Sequence, residues 1–442
     1  NGKVDRKALP APEAQGQKAE HFVAPRTTEE QKLAAIFSEV LNLNRVSADD
    51  DFFDLGGHSL LATQLVSRVR EAFQVELPLR EVFEAATVEK LALRLGESLA
   101  EASVLQAPPL TRVSRKGTLP LSFAQQRLWF LDQLEPGSAF YNVPVVVKLI
   151  GTLDVEALRR SFSELVRRHE SLRTTFRAQD GVAVQVVSDE STARLEVLEV
   201  DSSSVKQFAE EEALRPFDLA MGPLLRATLL KVAEGEHVLV LVMHHIVSDG
   251  WSMGILVREL VALYEAYSQG RESPLAELAV QYADYSVWQR EWLQGEVLEA
   301  QLGYWRGQLE GAPAALELPT DKVRPAVQTY RGATTELEWP KALWEGVKQL
   351  AQRESATPFM VLLAAFQAVL ARYSGQDDVS VGTAIANRTR AETEGLIGFF
   401  VNTLVLRAKL QPEKSFRALL AQVREVTLGA YAHQEVPFER LV

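Results

Sequence analysis

The sequence predicts two globular domains in tandem, a small all-α bundle followed by a larger α/β domain. First, 442 residues are too many for one ordinary hydrophobic core. Second, apolar residues recur at helical spacing between residues 26 and 98. Third, strand-like apolar runs alternate with helix-like segments beyond residue 118, which is typical of an α/β domain.

The composition excludes several classes of function. With 47 basic and 59 acidic residues the net charge is −12, so we expect no nucleic-acid partner, which would require a basic face. No cysteine is present, which excludes disulfides, thiolate nucleophiles and zinc–thiolate sites and agrees with a cytoplasmic location. The opening NGKVDRKALP does not resemble a signal peptide, and the longest apolar runs are too short to span a bilayer. We therefore expect no membrane partner.

The first domain is predicted to contain four helices between two linkers. Residues 28–43 and the stretch after Ser59 carry apolar faces, a short turn lies around 78–83, and a last helix covers 87–99. Residues 10–25 and 99–117 are rich in proline, alanine and polar residues and are predicted as linkers.

The second domain is predicted to form two α/β lobes, residues 118–285 and 286–442. The run of apolar residues at 237–245 indicates a strand that is buried on both faces. Further strands are predicted at 143–151, 378–385 and 403–410, and helices at 154–172, 252–267, 340–354 and 358–373.

The serine in LGGHSL, Ser59, directly follows a glycine pair and one histidine at the start of a helix. In isolation such a serine is usually an N-cap. Here, however, DDFFDLGGHSL at residues 50–60 resembles the signature of the peptidyl carrier (thiolation) domains of nonribosomal peptide synthetases, and the resemblance covers residues 26–98. It implies that a phosphopantetheinyl transferase attaches 4′-phosphopantetheine to Ser59, which then tethers an aminoacyl or peptidyl thioester. His58 is interpreted as a recognition or surface residue.

The opening string NGKVDRKALP resembles the end of an adenylation domain, so residues 1–25 are interpreted as the tail of such a domain and a linker. This resemblance implies an adenylation domain upstream as a partner.

The strongest motif in the second domain is HHIVSDG at residues 244–250, between a buried strand and a helix. A metal site is disfavoured because adjacent side chains at a strand end point to opposite faces and no third ligand pattern follows. Two core histidines followed by a turn at Asp249 remain the other structural interpretation. His169 and His433 are also interpreted as structural.

Five further motifs accompany HHIVSDG along the chain, at residues 121–144, 168–176, 282–293, 397–407 and 433–442. Together they resemble the condensation domains of the same synthetases, which have a two-lobed chloramphenicol acetyltransferase-like fold. Members of that family continue beyond the last motif, so the second lobe is expected to be incomplete. The string SFAQQRLWFLDQLEPGS resembles the subtype that joins two L-configured residues.

The resemblance to condensation domains also implies roles for individual residues. His245 is expected to assist attack of an amine on a thioester, either by removing the proton or by orienting the amine. The Gly250 amide is expected to approach the developing oxyanion. His244, Asp249 and Arg173 are expected to support the site, with Arg173 as the buried ion-pair partner of Asp249.

The chain order places the Ser59 thioester as donor and a downstream carrier as the source of the acceptor amine. Two other functions are disfavoured. A non-catalytic recruitment domain of the same fold is disfavoured by the intact histidine motif. A free-standing acyltransferase that uses coenzyme A is disfavoured by the attached carrier domain.

Overall fold

A computed structural model describes residues 22–97, the backbone of 98–100, and residues 107–190, 193–323, 325–326 and 332–441. The adenylation-like string at residues 1–10 lies outside the described residues. The chain divides into two compact units, residues 1–104 and 105–442.

The first unit is a helical bundle, as predicted. Its helices are α1 (Thr28–Leu41), α2 (Ser59–Phe73), α3 (Leu79–Glu84) and α4 (Val88–Ala100). Helix α1 packs against α2 and α4, and the Thr27 hydroxyl caps it by accepting a hydrogen bond from Glu30 N at 3.1 Å. The core consists of side chains with no exposed surface, namely Leu33, Phe37, Phe52, Leu65, Val69, Val82, Val88, Leu91 and Leu95.

The turn before α2 requires both glycines of the LGG string. Gly56 has a φ of +101°, in the region that favours glycine. A β-carbon at Gly57 would lie 2.3 Å from the ring of Phe52 and 2.4 Å from its carbonyl oxygen. The turn therefore closes directly over a fully buried ring, which fixes where α2 begins.

A four-stranded mixed sheet forms the centre of the second unit. Its order is β2 (Asn142–Ile150), β7 (Glu236–His244), β6 (Leu225–Ala233) and β5 (Leu195–Glu199), with β5 and β6 parallel and the other pairs antiparallel. Asn142 lies opposite His244 in the register.

Strand β7 is buried on both faces, which explains its unbroken apolar sequence. Leu239, Leu241 and Met243 pack with residues of α6 (Val155–Arg168) and α8 (Gly250–Ser268). Val238, Val240 and Val242 pack on the opposite face, with residues of α5 (Phe123–Leu134). The histidine motif thus follows a deeply buried strand of this unit.

The second unit also contains two smaller sheets and further helices. A three-stranded sheet has the order β1 (Leu119–Pro120), β4 (Val182–Val187) and β3 (Thr174–Gln179), and a two-stranded antiparallel sheet joins β8 (Asp378–Ile385) to β9 (Asn402–Lys409). The other helices are α7 (Val205–Leu214), α9 (Tyr282–Trp292), α10 (Gly295–Leu309), α11 (Lys341–Arg353), α12 (Pro358–Ser374), α13 (Ala391–Glu394) and α14 (Phe416–Ala432). Short 3₁₀ helices cover Glu170–Arg173, Ser202–Ser204, His245–Val247 and Phe438–Arg440. The alternation of helices and strands confirms the predicted α/β class.

Part of the segment predicted as a linker packs against α9. Leu110 is buried in a cluster with Tyr285 and Trp288, and the Trp288 indole donates to Pro108 O at 2.8 Å. Arg115 forms ion pairs with Asp284 at 2.6 Å and with Glu170 at 2.7 Å. These contacts attach residues 107–115 to the second unit.

Among the described residues, no single helix is long and apolar enough to cross a membrane. One pair, α11 and α12, reaches the required length and composition only together, and the two helices are bent by 104°.

We predict that Gly57→Ala destabilises the first unit by about 1–3 kcal/mol, because the added methyl group overpacks the Phe52 ring. Gly96→Ala is the control, since no atom lies within 4 Å of a β-carbon at that position in α4. We expect it to be neutral or stabilising by about 0.5–1 kcal/mol, as for glycine replaced in a helix.

Amide hydrogen exchange over residues 28–97 measures this effect without interference from the second unit. Protection should fall in Gly57→Ala and persist in Gly96→Ala. Equal protection in the two variants would contradict the proposed close contact with Phe52.

Candidate functional site

His245 lies just beyond the end of β7, in the 3₁₀ turn His245–Val247 that precedes α8. The predicted strand over 237–245 therefore ends one residue early, at His244. The His245 amide donates to Tyr141 O at 2.8 Å, and its ring Nδ1 lies 2.7 Å from Ser248 O. Because a carbonyl oxygen only accepts, Nδ1 carries the hydrogen, and a neutral ring then holds its lone pair on Nε2.

The His245 ring packs against a phenylalanine from a distant motif. The ring centroids of His245 and Phe399 are 4.7 Å apart at an interplanar angle of 65°. Phe399 is buried and belongs to IGFFVNTLVLR, so the fold brings two of the six motifs together at this point. The imidazole therefore has both a hydrogen bond and a ring contact that restrict its orientation.

His244 has a different environment from its neighbour. Its side chain is only 3% exposed, and its Nδ1 accepts a hydrogen bond from Ile246 N at 3.2 Å. Burial and the adjacent His245 lower the pKa of His244 to about 4, so the ring is neutral near pH 7. The His244 ring also packs against the rings of Tyr141 and Phe217. His244 is therefore a buried residue that caps the 3₁₀ turn His245–Val247.

Asp249 is the N-cap residue of α8, and several hydrogen-bond donors surround its carboxylate. Oδ1 accepts from Ser252 N at 2.8 Å and from Ser252 Oγ at 2.7 Å, and Oδ2 accepts from Phe400 N at 3.0 Å. Arg388 Nη2 lies 3.1 Å from Oδ1 and 3.4 Å from Oδ2. The side chains of Asp249 and Arg388 are 1% and 0% exposed, so this ion pair is fully buried.

The predicted partner of Asp249 was wrong, because Arg173 lies elsewhere. Its guanidinium is 4.0 Å from Glu170 and donates to Ser188 O. Arg173 stands at the end of the 3₁₀ turn Glu170–Arg173, next to strands β3 and β4. The expectation identified the need for a buried arginine correctly but assigned it to the wrong motif.

Sequence analysis missed Arg388 altogether. It follows β8 in the string AIANRT, and its guanidinium also donates to Leu396 O at 2.7 Å and packs 4.0 Å from the Phe400 ring centroid. Its position just after a strand was the available signal, since α/β proteins often expose functional groups there.

Gly250 is the first residue of α8 and is exposed. Its amide donates no hydrogen bond to any residue in the described part of the chain. No atom outside the local backbone lies within 4 Å of a β-carbon built at this position, so the space where a side chain would begin is open. The N-terminal amides of a helix carry partial positive charge, which suits an anionic oxygen.

Ser59 belongs to the first unit. It is the first residue of α2 but not its cap, because His58 occupies the N-cap position and its Nδ1 accepts from Leu61 N at 3.5 Å. The Ser59 side chain is partly exposed, and its hydroxyl makes no hydrogen bond within the described residues. The hydroxyl is thus accessible at the start of a helix.

We predict that Arg388→Ala lowers the free energy of unfolding of the second unit by about 3–5 kcal/mol, because it leaves the Asp249 carboxylate buried without its counter-charge. Arg173→Ala is the matched control and should cost only about 0.5–1.5 kcal/mol, the value of a lost hydrogen bond.

All 7 tryptophans lie beyond residue 128, so tryptophan fluorescence during urea unfolding reports on the second unit alone. Similar losses in the free energy of unfolding for both substitutions would contradict the prediction that the buried Asp249–Arg388 ion pair contributes more to stability than the Arg173 hydrogen bond.

Comparison with known families finds two matches in the order that the motifs predicted. The family described as phosphopantetheine attachment site matches residues 31–95, and the condensation domain family matches residues 115–442.

Curated relatives match over the whole chain. The chain is 53% identical over 450 residues to a component of the linear gramicidin synthase of Brevibacillus parabrevis and 45% identical over 449 residues to malpinin synthetase of Mortierella alpina. These matches cover 100% of this chain but only 9% and 6% of the two relatives. The chain thus corresponds to a small part of each.

Solved structures also match the condensation domain fold. The X-domain from teicoplanin biosynthesis superposes with a TM-score of 0.70 and 30% identity, covering 76% of this chain and 75% of that one. The first condensation domain of the calcium-dependent antibiotic synthetase, at 24% identity, has a TM-score of 0.62 over 74% of this chain and 77% of that one and supports the fold alone. From residue 115 onward the chain belongs to the condensation domain family, and a phosphopantetheine attachment domain precedes this part.

Proposed function

We propose that this chain carries an aminoacyl or peptidyl donor on Ser59 and that its condensation domain joins the donor to the amine of an aminoacyl group on a downstream carrier. The observation that carries the proposal is the His245 ring, which has an Nδ1–H bonded to Ser248 O and Nε2 left as the acceptor. This ring lies in the same chain as a phosphopantetheine attachment domain. The product is a peptide bond, as expected for a nonribosomal peptide synthetase.

Ser59 fits the attachment of 4′-phosphopantetheine. Ser59 is partly exposed and its hydroxyl is not used in a hydrogen bond within the described residues, so esterification breaks no native hydrogen bond of that hydroxyl. The Gly56–Gly57 turn, closed over Phe52, holds this position at the start of α2. When bound, the group supplies a flexible arm ending in a thiol, which carries the donor as a thioester whose C–S bond is exchanged for the C–N bond of the product.

His245 acts on the acceptor amine through Nε2. An α-amine has a pKa near 8, so about a tenth is already neutral at pH 7 and a strong base is not needed. The Nε2 lone pair serves two roles with the same geometry, orienting a neutral amine or taking the proton that nitrogen loses as it becomes an amide. The condensation motif has no cysteine, and its Ser248 is fully buried with its hydroxyl directed at Met253 Sδ, so we propose no acyl-enzyme.

Gly250 stabilises the oxygen that becomes negatively charged when the amine adds to the carbonyl. Gly250 is exposed at the N-terminus of α8, a helix of 19 residues, and its amide is not used in a hydrogen bond within the described residues. Asp249 contributes indirectly, because it caps α8 and holds the Phe400 amide. His244 supports the same turn through Ile246 N, and Arg388 replaces Arg173 as the residue that neutralises Asp249.

The specific partners follow from the proposed chain order. They are an adenylation domain upstream, a downstream carrier and a phosphopantetheinyl transferase that modifies Ser59. The division of the second unit into lobes at residues 118–285 and 286–442, the L-to-L subtype and a cytoplasmic location stay predictions.

A second candidate is a domain that recruits another protein. Another solved structure with this fold, at 30% identity and a TM-score of 0.72, is a complex of the X-domain with OxyB from teicoplanin biosynthesis. The effect of replacing His245 distinguishes the two functions, because recruitment does not require a lone pair on Nε2.

We predict that Ser59→Ala abolishes the mass increase on incubation with coenzyme A and a phosphopantetheinyl transferase, because the attacking oxygen is removed. Ser38→Ala, in the neighbouring helix α1, should still be modified completely. Intact-protein mass spectrometry measures both, and modification of Ser59→Ala would rule out this residue as the attachment site.

We predict that His245→Ala reduces dipeptide formation by about 10²- to 10⁴-fold, the usual contribution of a positioned acid–base residue, and leaves modification of Ser59 unchanged. His237→Ala, at the other end of β7, should retain activity. The assay offers the chain loaded on Ser59 to a separately loaded downstream carrier and detects products by mass.

The same assay tests the direction of transfer. Dipeptide should accumulate on the added carrier, and its accumulation on Ser59 would reverse the assignment of donor and acceptor. Wild-type rates in His245→Ala would favour a recruitment function instead.

A further inference from the structure

Tyr282 carries a buried hydroxyl whose role the condensation chemistry above does not explain. It is the first residue of α9, and its side chain is 1% exposed. The hydroxyl lies 2.8 Å from Ser122 Oγ and donates to the backbone carbonyl of Phe399. Burial raises the pKa of Tyr282 well above its usual range, so the hydroxyl keeps its proton.

The direction of each hydrogen bond follows from the chemistry of the groups. Phe399 O can only accept, so the Tyr282 hydroxyl donates its single hydrogen there. Ser122 Oγ must then donate to the Tyr282 oxygen, and it accepts in turn from Gln125 N at 3.1 Å. A directed chain of hydrogen bonds therefore runs from the first turn of α5 through Tyr282 to the segment that contains Phe399.

The Tyr282 ring supports the same segment by direct packing. A β-carbon at Gly398 would lie 2.0 Å from the ring, so the glycine allows the backbone to lie against it. The ring also packs edge-to-face with Phe400, with centroids 4.8 Å apart. Tyr282 thus contacts the residues before and after Phe399 and bonds to Phe399 itself.

The first turn of α5 also approaches the backbone next to His245. The Gln125 side-chain amide lies 3.4 Å from Ile246 O, and its carbonyl oxygen accepts from Ser122 N at 3.1 Å. The first turn of α5 therefore contacts Ile246, the residue after His245, directly. Through Tyr282 it is also connected to Phe399, whose ring packs on His245.

We propose that Tyr282 is a positioning residue for His245, which it orients by holding the Phe399 backbone through its hydroxyl and through ring contact with Gly398. This inference rests on the proposed role of His245 in condensation. Tyr282 has no direct part in the chemistry, because its hydroxyl hydrogen is committed to Phe399 O.

The test compares Tyr282→Phe with Tyr285→Phe in the full chain. The first substitution keeps the ring and removes the bond to Phe399 O. Tyr285 is a matched control, since it is also buried on α9 and packs on Phe400 with centroids 4.7 Å apart. Its hydroxyl accepts from Gln289 within the same helix at 3.1 Å, so its loss does not affect the Phe399 backbone directly.

The measurement is dipeptide formation between the Ser59-loaded chain and a loaded downstream carrier at varied carrier concentration. We expect Tyr282→Phe to lower kcat by about 10- to 100-fold, as misplacement of a catalytic group does, with KM for the carrier unchanged. Tyr285→Phe should stay within about 2-fold of the wild type. A wild-type kcat for Tyr282→Phe, or an equal loss in both variants, overturns the proposal.

A double-mutant cycle separates positioning from general destabilisation. If Tyr282 acts through Phe399, then Tyr282→Phe should cost less than about 2-fold in a Phe399→Leu background, whereas independent effects would multiply. If Tyr282→Phe does not fold, as judged by tryptophan fluorescence, Ser122→Ala takes its place, because it removes the donor to the Tyr282 oxygen and leaves the ring intact. An unchanged kcat in Ser122→Ala then overturns the inference.

The experiment also distinguishes failure of this inference from failure of the proposed function. Wild-type activity in His245→Ala removes the basis of both. An inactive His245→Ala chain together with a fully active Tyr282→Phe chain refutes the positioning role alone.

Discussion

Asp249 and Arg388 form an ion pair with no access to solvent, and much of the structure around His245 depends on this pair. A charge buried alone costs several kcal/mol, so each of these side chains requires the other together with further hydrogen bonds. Asp249 obtains these from the first turn of α8 and from Phe400 N, while Arg388 bonds to the carbonyl of Leu396. The pair therefore attaches the end of the histidine motif to the segment that carries Phe399.

The same arrangement restricts the orientation of the His245 imidazole. His245 is held by Tyr141 O at its amide, by Ser248 O at Nδ1 and by the Phe399 ring at its face. Its neighbour His244 is neutral because burial lowers its pKa to about 4, so it adds no positive charge beside His245 near pH 7. Preorganisation of this kind avoids reorganisation during the proposed reaction, and in a neutral ring the bond from Nδ1 to Ser248 O leaves the lone pair on Nε2.

Helix α9 connects these contacts to the beginning of the second unit. Tyr282 bonds to Phe399 O, Asp284 forms an ion pair with Arg115, and Trp288 donates to Pro108 O. The family match starts at residue 115, but packing against α9 starts some residues earlier, at the Pro108 carbonyl and the Leu110 side chain. The helix thus holds both the segment before the condensation domain and the segment that contacts His245.

The sequence by itself determined the order of the two domains, the class of each fold and the positions of Ser59 and His245 at helix and strand ends. These features depend on local periodicity and on motifs whose residues are close in the chain. Strand β8 is an example, since it was predicted over the same residues, 378–385, that form it. Only the tertiary structure decided that Asp249 pairs with Arg388 and not with Arg173, that Nδ1 of His245 carries the hydrogen, and that Phe399 packs on the imidazole. Asp249 and Arg388 are 139 residues apart, and no local sequence pattern around either residue identifies the other as its partner. The partner of a buried charge is set by the path of the whole chain, because it must be a guanidinium that the fold brings within bonding distance.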